Sequence, residues 1–117
     1  MKEYHFNKYG CCVDYDKPIV RNGADYEYHI YVARIPQGWV SGHKLLRGCQ
    51  CSINLIMRDR DEQAFATKRE AILKALIAAR AFFSDASLGK PDKKVIERIN
   101  AQILDYSTPS LFPEEES

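Results

Sequence analysis

Four small groups of side chains in this sequence could do chemistry. Cys11-Cys12 and Cys49-x-Cys51 carry thiols, and His5, His29 and His43 carry imidazoles. Asp59, Asp61 and Glu62 form a carboxylate run. Tyr31, Trp39, His43 and Asn54 combine aromatic, imidazole and amide groups. Thiols with imidazoles could bind zinc or form a Cys–His nucleophile pair. Neither cysteine pair has a standard zinc spacing. Adjacent residues of a strand point to opposite faces, so Cys11 and Cys12 are badly placed for joint ligation. Cys49 and Cys51 alternate with polar neighbours beside Ile53, Leu55 and Met57, and read as small buried hydrophobes. A catalytic carboxylate needs burial or a partner, whereas Asp59 to Glu62 read as a solvated link. No nucleophile, base and oxyanion arrangement can be assembled from the spacing. The expectation is a non-enzymatic binding protein with no catalytic residue, metal or cofactor. The aromatic set suits stacking on bases or a protein hot spot.

The elements that must position those residues can be read from periodicity. Tyr26–Ile35, Trp39–Leu46 and Cys49–Met57 are three strand-like runs. Pro36-Gln37-Gly38 reads as a three-residue turn that sets Ile35 opposite Trp39. Arg47-Gly48 reads as a two-residue turn that sets Leu46 opposite Cys49. Counting outward puts Tyr28, Ile30, Val32, Val40, Leu46, Cys51, Ile53 and Leu55 on one face. The other face receives Tyr31, Trp39, Ser41, His43, Ser52 and Asn54. Lys44 and Arg34 fall on the apolar face as misfits. Their charges would have to reach past the sheet edge.

Thr67 followed by Glu70 is a capping box for a helix. Ile72, Leu76, Ala79 and Phe83 recur at helical spacing and should cover the apolar sheet face. Gly89 and Pro91 end this helix, and a second carries Val95, Ile96, Ile99 and Ile103. Residues 1–25 read as an irregular or strand-like arm, with turn signals at Asp16-Lys17-Pro18 and Asn22-Gly23. The expected fold is α+β: a three- to four-stranded antiparallel sheet with one helix across one face and a second C-terminal helix. One domain spans residues 1–106: arm 1–25, β-meander 26–57, main helix 67–88 and second helix 91–106. Residues 107–117 read as a disordered acidic tail.

Charge narrows the class of partner. The 117 residues carry a formal net charge of +1, which provides no global field for DNA or anionic membrane. The charge is uneven: residues 26–60 hold five Lys/Arg against two Asp/Glu, and residues 91–117 hold three against six. No secretory signal or membrane-spanning run is evident. The expectation is a soluble, cytoplasmic protein with reduced cysteines.

Gly38-Trp39-Val40 in the second strand, with Phe65, Thr67, Glu70 and Ala71 at the helix start, resembles two DNA-binding folds. These are the plant AP2-type domain and the arm-binding modules of phage and transposon integrases. The resemblance covers residues 26–84. It implies a sheet face, turned away from the helix, that enters the DNA major groove. Carried over, the binding face is Tyr31, Trp39, Ser41, His43, Ser52 and Asn54. Arg47, Arg58 and Arg60, at strand ends, are the expected phosphate contacts. This face departs from those families in having no Arg or Lys within its strands, although such side chains neutralise phosphates and read guanine. The first expectation is therefore a small nucleic-acid-associated accessory or regulatory protein that uses the sheet face opposite the helix, and the alternative is a protein-interaction module, an adaptor or an inhibitor of a larger enzyme, that uses the same aromatic face. An open sheet edge also invites a homodimer by strand pairing.

Overall fold

The computed structural model describes residues 3–57 and 64–107. The fold is α+β, a four-stranded antiparallel sheet followed by two helices that pack against it. The strands run in sequence order: β1 (Asp16–Asn22), β2 (Tyr26–Ile35), β3 (Gly38–Arg47) and β4 (Gln50–Asn54). Helix α1 (Lys68–Ser84), a short 3-10 turn (Ala86–Leu88) and helix α2 (Lys93–Ser107) follow. Among the described residues, no helix is long and apolar enough to cross a membrane.

The β2–β3 hairpin differs from the sequence reading by one residue. Ile35 pairs with Gly38, and Arg34 pairs with Trp39. Gly38 has φ +138°, a conformation that L side chains rarely adopt, so the strand already begins at the glycine. The loop shortens to Pro36-Gln37. Because side chains alternate, this slip turns all of β3 over relative to β2.

The next hairpin also shifts, but by two. Arg47 pairs with Gln50, and Leu45 with Ser52. The turn is Gly48-Cys49, with Gly48 at φ +57° and no positive φ at any described non-glycine residue. Those signs are those of a type II′ turn, which wants glycine first. A shift of two preserves the facing. Trp39, Ser41, His43, Ser52 and Asn54 therefore do share one face, as expected from the sequence. It is the face of Tyr28, Ile30 and Val32, however, and Tyr31 lies on the other.

The helix-side core consists of Ile19, Tyr28, Ile30, Val32, Trp39 and Leu45 against Ile72, Leu76, Ala79 and Phe83 of α1. Val95 and Ile99 of α2 complete it. Lys44, a misfit in the expected register, turns to the opposite face and pairs with Glu27 at 3.7 Å. Thr67 caps α1, its hydroxyl accepting from the Glu70 amide at 3.2 Å and donating to the Glu70 carboxylate at 3.0 Å. Helix α1 ends at Ser84, earlier than Gly89. Asp92 caps α2 by accepting from the Lys94 and Val95 amides at 3.1 and 3.3 Å.

The fourth strand is Asp16–Asn22, within the expected arm and across the turn signal of Asp16-Lys17-Pro18. A bulge between Asp16 and Ile19 accommodates Pro18, which an edge strand tolerates because its amide need not join a ladder. Residues 4–15 form a separate hairpin-like arm, with isolated bridges from Phe6 to Cys12 and from Cys11 to Met57.

Trp39 is 5% exposed and belongs to the core under α1. Trp39→Ala is expected to cost about 3–5 kcal/mol of stability, as large-to-small changes of buried aromatics do. Urea unfolding monitored by circular dichroism would measure it. Wild-type stability in that variant would show that Trp39 is not a core residue.

Candidate interaction surface

The sheet face away from the helices is not an open platform. Tyr31, Ala33, Ile35 and Val40 pack there with Cys12 and Ile56, and Tyr4, Phe6 and Tyr15 lie against them. The rings of Tyr15 and Tyr31 stand 4.4 Å apart, centroid to centroid. The cover comes from two directions. Residues 4–15 fold over the face from the N-terminal side. After Asn54 the chain turns onto the same face, where Cys12 donates its amide to the Ile56 carbonyl at 2.9 Å. Gly42 makes that crossing feasible. A Cβ there would lie 2.4 Å from the Asn54 carbonyl oxygen and 3.1 Å from Ile56 Cγ1.

Polar links fasten the arm. The Tyr4 hydroxyl donates to Asp16. Burial, then that contact, raises the Tyr4 pKa above its ordinary value. Asp16 also holds Lys68 at 3.3 Å, and Lys68 lies 5.7 Å from the Trp39 ring centroid. Tyr4 meets Trp39 edge-on at 6.1 Å. Arm, β1, β3 and the start of α1 thus converge on one knot. A second tie joins His5 to Asp14, at 2.8 Å between side chains and 2.7 Å from the His5 amide. Hydrogen bonds from His5 hold the Asp14 carboxyl down at about 2.

The expected site residues therefore separate. Tyr31 is buried under the arm, Trp39 and Ser41 are buried on the helix side, and His43, Ser52 and Asn54 are half-buried. His43 Nε2 lies 3.1 Å from the Ser52 hydroxyl, and His43 pairs with Asn54 across the strands. These three form a small polar group at the margin of the helix-side face.

Arg47 was expected to touch phosphate, but its guanidinium is committed within the fold. Its Nη1 donates to the carbonyls of Phe82 and Asp85, both at 2.8 Å, and its Nη2 donates to the Gly89 carbonyl at 2.9 Å. The last carbonyls of a helix lack intrahelical donors, and a buried guanidinium satisfies them with a favourable charge at the helix C-terminus. Arg58 and Arg60, the other two expected phosphate contacts, lie outside the described residues. So do Asp59, Asp61, Glu62 and the acidic segment 108–117.

Among the described residues, β4 is the strand left bare. Its five residues are exposed or half-buried throughout, because α1 rests on β2 and β3. Cys49 and Cys51 are exposed, contrary to the buried role their alternation suggested. Ile53 is 60% and Leu55 50% exposed. Cys12 is the buried cysteine, and the Cys11 sulfur lies 3.3 Å from the Met57 sulfur. Among the described residues, no group of three or more His, Cys, Asp and Glu side chains could hold a metal ion.

The direction of the backbone groups on β4 follows from its neighbour. Trp39 exchanges both hydrogen bonds with Phe65 at 2.8 Å, so its N–H and C=O point to the β4 side of β3. Alternation gives the same direction to His43, Leu45 and Arg47, and their partners Asn54, Ser52 and Gln50 answer them. Cys51 and Ile53 therefore direct their N–H and C=O groups away from β3, along the open edge. That the open edge is β4 was not legible in the sequence, because the cysteine–aliphatic alternation there looks like a core strand. The signal that could have exposed it is Lys44, which fits only when β3 and β4 are turned over.

No protein-family model, curated protein or solved structure matches the chain.

Replacing Arg47 by Met should remove the charged donor from three carbonyls around the end of α1, of which those of Phe82 and Asp85 keep only the backbone amides of Asp85 and Leu88 at 3.4 and 3.2 Å. The expected loss is about 2–4 kcal/mol in urea unfolding, and Arg47→Lys should recover only part of it, since an ammonium cannot reproduce the planar fork. Unchanged stability in Arg47→Met would remove the guanidinium from any role in holding α1.

Proposed function

We propose that this chain is a non-enzymatic protein-interaction module that accepts a strand along the outer edge of β4. The observation that carries this reading is the contrast between the two edges of the sheet. The β1 edge is interrupted by a bulge and by Pro18, and it carries Lys17 and Arg21. Such features are the usual protection of a sheet edge against unwanted pairing. The β4 edge has none of them. From Gly48 to Met57 there is no charged residue and no proline, in a chain that is 28% charged overall. An extended segment added there would meet the backbone groups of Cys51 and Ile53. Its side chains would lie beside those of Cys51 and Ile53. Strand addition of this kind draws affinity from main-chain hydrogen bonds and specificity from alternate side-chain contacts.

The nucleic-acid reading draws less support. The face that the AP2-like and integrase-like comparison would offer to DNA carries the packed arm, and Arg47 is occupied by helix carbonyls. Protein recognition needs no cluster of positive charge, and β4 offers none.

Two measurements test the proposal. Fluorescence anisotropy with labelled duplex DNA, single-stranded DNA and RNA should give no binding that falls steeply with salt. Micromolar, salt-steep binding would return the protein to the nucleic-acid class. A photo-reactive residue at position 53 should give covalent adducts with protein in cell extract, while one at the equally exposed position 104 should not. Equal yields from both positions would sink the β4 reading.

A further inference from the structure

The partner of β4 can be specified from the strand itself. Resting on the β4 reading above, we infer that the strand added to β4 is β4 of a second copy, antiparallel about a two-fold axis at Ser52. An antiparallel two-fold pair sets residue i against residue j and residue j against residue i. An axis at Ser52 overlaps all five residues of Gln50–Asn54. Centres at Cys51 or Ile53 shorten the overlap.

The Ser52 register also satisfies the backbone. Cys51 and Ile53 carry the outward N–H and C=O groups, and this register sets each Cys51 opposite the partner's Ile53. Those are the hydrogen-bonded pairs, so each copy supplies both outward residues and receives both. Ser52 meets its own counterpart in a non-hydrogen-bonded pair, and Gln50 meets Asn54. Amide lies beside amide and apolar side chain beside apolar side chain on each face.

Charge allows the same pairing. Self-association places like residues near each other, so any charge on the strand would be repeated across the axis and repel. Gly48 to Met57 contains none. The β1 edge could not pair with itself in this way, since Lys17 and Arg21 would be duplicated and Pro18 offers no N–H.

Sterics agree as well. Helix α1 rests on β2 and β3, which leaves β4 uncovered on the helix side. Two copies can join edge to edge as one eight-stranded sheet without their helices meeting at the seam. The sheet has four strands per copy. The exposed side chains of Cys51 and Ile53 then become continuous across the axis and lose water-exposed area. A seam of five residues is small for a stable interface, so the association should depend on concentration.

The experiment is sedimentation equilibrium of the full chain over the micromolar range, with register read by disulfide trapping. The wild-type mass should rise from 13.4 kDa toward twice that value. Ile53→Lys, at a mostly exposed position, should keep the wild-type circular dichroism and remain at the monomer mass. In a chain carrying Cys49→Ser and Cys51→Ser, Ser52→Cys should form an intermolecular disulfide under mild oxidation. The Cα separation of a non-hydrogen-bonded pair, about 4.5 Å, lies within disulfide reach. Wild-type Cys51, set diagonally from its counterpart, should not form one. A wild-type monomer throughout, or ready cross-linking through Cys51, overturns this inference. If the position-53 photo-adduct is then with a different protein, strand addition at β4 stands and only the second copy is lost.

Discussion

Ile35 pairs with Gly38, and that contact decides which side chains α1 can bury. A β-strand shows alternate residues to opposite faces, so the relation of β2 to β3 has only two outcomes. In the one adopted, Trp39 and Leu45 join Tyr28, Ile30 and Val32 beneath the helix, and Lys44 goes to solvent. Gly38 permits it by taking a φ that a side chain would resist. The helix, the arm and the bare edge are all consequences. Trp39 under α1 gives Tyr4 and Lys68 a ring to pack on, which draws arm and helix start together. Val40 and Tyr31 on the far face need a cover, and the arm with Ile56 supplies it.

The distribution of polar groups follows the same geometry. Arg47 ends β3 on the helix side, within reach of the carbonyls at the end of α1. A charge that would be costly when buried alone is there surrounded by three acceptors. Tyr28 likewise buries its ring and directs its hydroxyl to Gln102 of α2 at 2.9 Å. Such long-range links join β2, β3, α1 and α2 into one unit. They leave β4 outside it, attached through its ladder to β3.

An uncharged edge strand on an otherwise well-charged protein is a liability unless it has a use. The contrast with β1 makes the point, since the same chain carries a bulge, a proline and two cations on the opposite edge. A homotypic seam at β4 would use the exposed strand and extend the sheet. It would also leave the helix-side core unchanged, because α1 rests on β2 and β3.

The sequence by itself determined the element types and their order: three strands in a meander, a capped apolar helix and a second helix. These depend on local periodicity and on capping chemistry, as at Thr67 and Glu70, which act within a few residues. It also determined that Trp39, Ser41, His43, Ser52 and Asn54 share a face, because moving the second turn by one position changes the register by two residues and preserves the facing. Only the tertiary structure decided which face that was. A single glycine could be counted in the turn or in the strand, and packing against α1 selects the strand. Tertiary structure alone also decided that residues 4–15 cover Tyr31 and that Arg47 serves a helix end. It left Cys51 and Ile53 in water for the same reason: burial depends on what reaches a face, and no local pattern encodes the reach of a helix or an arm.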